Sequence, residues 1–112
     1  MYKIQINGQE WPLDFSMATL ALFARENGDG LNALTSGFTM DLLGIMRFMA
    51  IAVSEGCAKQ SKAVPNGFSW RTVSEWFEAD PELAGKFLQM YYESQGLKMT
   101  DEEADEVGKI NA

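Results

Sequence analysis

Sixteen acidic side chains, one cysteine and no histidine are the groups this 112-residue chain brings to any chemistry. Paired carboxylates can serve as general acid and base, or hold a cation. The absence of histidine removes the commonest general base and the commonest metal ligand together. Cys57 has no histidine to activate it and lies near the end of an apolar stretch, so it reads as a packing residue rather than a nucleophile. The densest acidic group, Asp101 to Glu106, has little apolar surface around it to raise a carboxyl pKa by burial. It also lacks the glycine and the alternating ligands of a calcium-binding loop, which favours a solvated face or an electrostatic tail over a metal site. Glu75, Glu78 and Glu82 follow helical spacing, but Asp80-Pro81 interrupts them. NGDG at 27–30 is better explained as a helix stop than as a phosphate loop. The expectation is a protein that is not an enzyme, with no catalytic residue, no cofactor and no metal.

The apolar inventory points elsewhere. Seven methionines, seven phenylalanines, three tryptophans and three tyrosines are many for so short a chain. Met40, Met46 and Met49 fit core packing, although methionine also makes adaptable contacts with varied partners. Phe68, Trp70, Trp76 and Phe77 crowd around one short segment, with Trp70, Val73 and Phe77 on one helical face and Trp76 turned away from it. Tyr91 and Tyr92 are adjacent and diverge by about 100° on a helix. One small core does not readily absorb all of them, and exposed large aromatics anchor protein interfaces. These six residues are the candidate protein-binding set.

Composition narrows the class. The length suits one domain, read as residues 1–97 followed by an acidic tail over 98–112 that is a frayed helix or disordered. A net charge of −7 repels phosphate backbones, and the nine basic residues are scattered, so nucleic acid is not an expected partner. The single cysteine excludes an internal disulfide. MYKIQING has no apolar core of a signal peptide, and the most apolar stretch, 40–53, is interrupted by Asp41 and Arg47 and is too short for a bilayer. The reading is a soluble, cytoplasmic protein with no membrane partner.

The elements that must position these residues are legible as a pattern. Tyr2, Ile4 and Ile6 alternate with polar residues, and Asn7-Gly8 suits a two-residue hairpin turn leading to a return strand through Trp11 and Leu13. Pro12 cannot donate to a ladder, which predicts a free edge there that guards against stray strand pairing, unless that edge is itself a subunit contact. Ser16 is placed to cap a helix with Met17, Leu20, Ala21 and Ala24 on one face, ending at Gly28. After GDGLNALTSG, Thr39 is read as the cap of the longest helix, with Asp41 in its first turn. Leu42, Ile45, Met46, Met49, Ala52 and Val53 form its apolar arc, widened by Leu43 and Ala50. An arc that wide predicts a central helix packed by several neighbours. KQSKAVPNG is a loop, Ser69 starts a short helix, and Asp80-Pro81 opens a last helix that stops at Gly96. The fold class is α+β and mostly α: an N-terminal two-stranded hairpin on about four helices.

The whole pattern resembles the tail assembly chaperones of long-tailed, siphovirus-like bacteriophages. It is carried by I-x-I-N-G-x-x-W-x-L-x-F from Ile4 to Phe15 and by the Ser16-capped helix with Leu20 and Phe23, closed by Gly28. The long apolar helix opening in TMDLL, the capped SWRTV segment and a final aromatic helix complete it, over residues 2 to 95. The resemblance implies a non-enzymatic protein of the host cytoplasm. Such proteins bind the tape measure protein, keep it soluble during virion assembly and help recruit tail tube protein. Many also exist as a longer, frameshifted form with an extra domain that this chain lacks, so tube recruitment is the part of the role least carried over. A small core leaves room for self-association into a homo-oligomer. Two other classes stay open: an acidic inhibitor that mimics nucleic acid, and a small head–tail connector.

Overall fold

The computed structural model describes residues 2–27 and 41–96. The expectations for GDGLNALTSG, for Thr39 as a cap and for the 98–112 tail lie outside the described residues. The chain forms strands β1 (Tyr2–Ile6) and β2 (Gln9–Leu13), then helices α1 (Met17–Asn27), α2 (Leu42–Lys59), α3 (Trp70–Ala79) and α4 (Leu83–Ser94). This is the α+β, mostly α arrangement of hairpin and four helices that the patterning predicts.

β1 and β2 pair antiparallel with Ile6 opposite Gln9 and Ile4 opposite Trp11. Asn7 and Gly8 both take positive φ, 50° and 79°, as a type I′ turn demands. Ile4, Ile6, Trp11 and Leu13 are buried, so the hairpin lays its apolar residues on the helices.

The Pro12 edge is not free, contrary to the sequence expectation. Pro12 is buried, and a Cβ built on Gly56 of α2 would lie 2.6 Å from its carbonyl oxygen. Glycine at 56 lets the helix backbone approach the strand closely. Two residues further on, the Asp14 N–H donates to the Ala52 carbonyl at 3.0 Å, so helix α2 covers this edge.

α2 is the hub, with β2, α1, α3 and α4 all packed on it. Its cap is Asp41, not Thr39: the Asp41 carboxylate accepts the Gly44 N–H at 2.7 Å. Burial begins only at Gly44, which leaves Leu42 and Leu43 exposed in the first turn although the apolar pattern includes them. Phe48 is fully buried and gathers the aromatic core, with Phe23 stacked at 4.7 Å and Tyr91 and Phe87 edge-on at 4.8 and 5.4 Å.

α3 begins in a capping box. Ser69 Oγ accepts the Arg71 N–H at 3.1 Å, and Thr72 Oγ1 accepts the Ser69 N–H at 3.3 Å. Its buried face is Val73 with Trp76, rather than the predicted Trp70, Val73 and Phe77. Asp80 ends α3 and accepts the Glu82 N–H at 3.1 Å. Pro81 and Glu82 thus form a lead-in turn, and α4 proper starts at Leu83. Gly96, at φ 72°, follows the end of α4.

A candidate protein-binding groove

Orientation of α1 comes from a polar contact rather than an apolar one. Thr19 is fully buried because its hydroxyl donates to Asp14 Oδ2 at 2.5 Å. The same oxygen accepts the Ser16 hydroxyl at 2.5 Å, and Asp14 Oδ1 accepts Lys59 Nζ at 2.6 Å. Burial opposes the charge on Asp14, but the bonds from Lys59, Ser16 and Thr19 outweigh it and hold the carboxyl down at about 2. With Thr19 drawn inward, Leu20, Phe23 and Ala24 face the core. The predicted face of Met17, Leu20, Ala21 and Ala24 is therefore rotated: Met17 and Ala21 stand outside with Ala18 and Leu22.

Leu22 and Glu26 form one wall of an open groove of about 290 Å³. The floor and second wall come from α2, through Arg47, Ala50, Ile51, Ser54 and Glu55. The third side is the start of α3, with Phe68, Ser69 and Trp70. Leu22, Ala50, Ile51, Phe68 and Trp70 make the lining apolar, while Glu26, Arg47 and Glu55 put charge on it. Arg47 Nε is 4.0 Å from a Glu26 carboxylate oxygen, a loose pairing that leaves this buried donor without a hydrogen bond. The Arg71 guanidinium lies over the Trp70 ring, 4.6 Å from its centroid.

The candidate aromatics are thus divided. Phe68 and Trp70 line the groove and are half-buried. Trp76 is a core residue, tilted against Trp11 at 5.7 Å and against Phe68 at 5.5 Å. Phe77 and Tyr92 are half-buried against the core, and Tyr91 is buried in it. Burial, with the neighbouring Tyr92, raises the Tyr91 phenol pKa. Sequence reasoning missed Leu22, Glu26, Arg47, Ala50, Ile51 and Glu55 as groove residues. One signal was available: MATLALFA is apolar on every side, so one face of that helix had to be left over.

A groove with this lining has the shape and apolar surface to seat a large apolar side chain. Cys57 is buried, and burial pushes its thiol pKa up against a smaller opposing pull from Lys62, which disfavours the thiolate. Among the described residues, no group of three His, Cys, Asp or Glu side chains gathers to hold a metal ion, and no helix is long and apolar enough to cross a membrane. Compared with known protein families, curated proteins and solved structures, the chain matches none of them.

Proposed function

We propose that this chain is a non-enzymatic tail assembly chaperone of a long-tailed bacteriophage, binding the tape measure protein and keeping it soluble while the tail is built. Tail tube protein is the second proposed partner, and the site of action is the host cytoplasm. The observation that supports this best is the half-open apolar groove beside α1, with Leu22, Ile51, Phe68 and Trp70 on its walls. A groove of this kind suits a large apolar side chain from a partner, with charged residues at the rim. The acidic remainder of the chain would keep a laden complex soluble.

The test is co-expression with the tape measure protein encoded by the same phage, scored by how much of that protein stays soluble and is retained with the chaperone. Capture and rescue that Trp70→Ala weakens support the reading. If the tape measure protein precipitates to the same extent with and without this chain, the reading is lost.

A further inference from the structure

Two turns among the described residues carry the same dipeptide, Asn-Gly, and the fold holds them differently. Asn7-Gly8 joins β1 to β2, where the pairing of Ile6 with Gln9 and of Ile4 with Trp11 clamps it from both sides. Asn66-Gly67 lies in the loop between α2 and α3. There the Phe68 N–H donates to the Pro65 carbonyl at 3.1 Å, and Gly67 takes φ 74° whereas Asn66 does not have positive φ. That combination is a type II turn with Asn66 at its first central position. One backbone hydrogen bond closes it. Residues 63–67 are all exposed, and a Cβ on Gly67 would meet nothing within 4 Å, so the turn stands clear of the helices.

Asparagine is among the chemically labile residues, most of all before glycine, which sets no Cβ beside the nitrogen that follows. The Gly67 N–H makes no hydrogen bond among the described residues. Hydroxide can take its proton, and the nitrogen then attacks Asn66 Cγ. The Cγ–Nδ2 bond breaks and, protonated by water, the side-chain nitrogen leaves as ammonia. Water opens the resulting cyclic imide at either carbonyl. Cleavage at Cγ leaves an aspartate, and cleavage at the main-chain carbonyl leaves an isoaspartate whose backbone runs through the side-chain carbon. Ring closure requires the peptide after the asparagine to rotate about ψ. At Asn7 that rotation disrupts the strand ladder, whereas at Asn66 it breaks a single bond.

We propose that Asn66 is a site of spontaneous covalent modification, converting to aspartate and isoaspartate through the Gly67 nitrogen, while the hairpin ladder withholds the same reaction from Asn7. The change falls two residues before Phe68, which lines the groove and packs on Trp76 at 5.5 Å. Both products add a negative charge at this end of the groove. Isoaspartate also inserts a carbon into the turn that Pro65 and Phe68 close, which shifts Phe68 against Trp76. The inference rests on turn geometry and does not depend on the phage role.

The experiment incubates the full folded chain at mildly alkaline pH and cleaves samples after lysine and arginine. Asn66 then lies in 63–71 and Asn7 in 4–25, while Asn27-Gly28, which runs beyond the described residues, is counted separately in 26–47. Mass spectrometry follows the exchange of ammonia for water, and enzymatic methylation of isoaspartate separates the two products. In the folded chain Asn66 is expected to convert at least about tenfold faster than Asn7, the factor that a local opening about 1.4 kcal/mol costlier in the hairpin gives. In concentrated urea, where neither turn survives, the two rates should converge. Asn66→Gln, whose longer side chain closes a ring far more slowly, should leave 63–71 unchanged. In an NMR spectrum the Trp76 indole N–H signal should shift in step with isoaspartate, and Asn66→Asp, which adds the charge without the extra carbon, should reproduce little of that shift. Equal rates in the folded chain, or faster conversion at Asn7, overturn the proposal, as does an Asn66 that stays intact when folded yet converts in urea. An order that persists unchanged in urea overturns the role of the ladder. A Trp76 signal unmoved in fully converted protein overturns the link to the groove.

Discussion

Asp14 Oδ1 and Lys59 Nζ meet at 2.6 Å across 45 residues of sequence, joining the corner after β2 to the last turn of α2. The Asp14 side chain is only 7% exposed, whereas Lys59 is about half exposed. The carboxylate is thus the enclosed partner, and its hydroxyl donors Ser16 and Thr19 complete its shell.

A pH dependence follows from that shell. The folded Asp14 pKa, about 2, lies below its ordinary 3.8, so the charged form favours the folded state. The contribution is fully present above about pH 4 and is lost as pH falls towards 2; it amounts to about 2 kcal/mol. Urea unfolding at stepped pH should show this acid limb, and Asp14→Asn should flatten it while lowering stability at pH 7. An unchanged limb in the variant would assign the acid sensitivity to other carboxylates.

Gly56→Ala tests the contact between helix and strand. In an open helix interior this change stabilises by about 0.5–1 kcal/mol. At Gly56 the added methyl would sit 2.6 Å from the Pro12 carbonyl oxygen, with the Leu13 nitrogen at 3.2 Å. The sign should reverse, with a loss of about 1–3 kcal/mol as the hairpin is pushed off α2. A melting temperature equal to or above that of the parent would mean that the hairpin yields freely.

The two tryptophans of α3 should separate stability from binding. Trp76→Ala empties core space between Trp11 and Phe68 and should cost about 3–5 kcal/mol. Trp70→Ala, at the groove edge, should cost about 1 kcal/mol or less and instead weaken partner capture. Denaturant midpoints and pull-down yields on the same pair of variants check this, and a reversed order would move the binding surface off the groove.

Asp41→Ala removes the side chain that accepts the Gly44 N–H and should lower stability by about 1 kcal/mol. Asp41→Ser, which can cap, should recover most of the loss. Chemical denaturation of the three proteins distinguishes a cap from a general charge effect, since serine restores the bond without the charge.

Local signals carried the architecture. Asn7-Gly8 announces the hairpin because few other residue pairs accept positive φ twice in succession. The wide apolar arc from Ile45 to Val53 announces the hub for a similarly local reason. The rotation of α1 was hidden because it depends on Thr19 finding Asp14, and on Asp14 finding Lys59 far along the chain. Periodicity alone treats Thr19 as a surface residue and Met17 as a core one. Trp70 and Trp76 were equally indistinguishable by spacing; Trp11, arriving from the hairpin, draws Trp76 inward. Of the groove only the surplus apolar face of MATLALFA was legible; its walls come from three separate stretches around Leu22, Ile51 and Trp70, and periodicity does not bring them together.

The closure of the Pro12 edge by Gly56 has a consequence for synthesis. The hairpin leaves the ribosome before α2 does, yet a lone hairpin is marginal in water, and the backbone it leans on comes later. The 45 residues between Asp14 and Lys59 take roughly 2–9 s to translate at about 5–20 residues per second. During that interval Ile4, Trp11 and Leu13 have none of the α2 surface that buries them. Nascent chains stalled just before and just after Gly56 and Lys59 emerge should differ sharply in protease resistance at the hairpin. The two strands are thus held in waiting until α2 arrives.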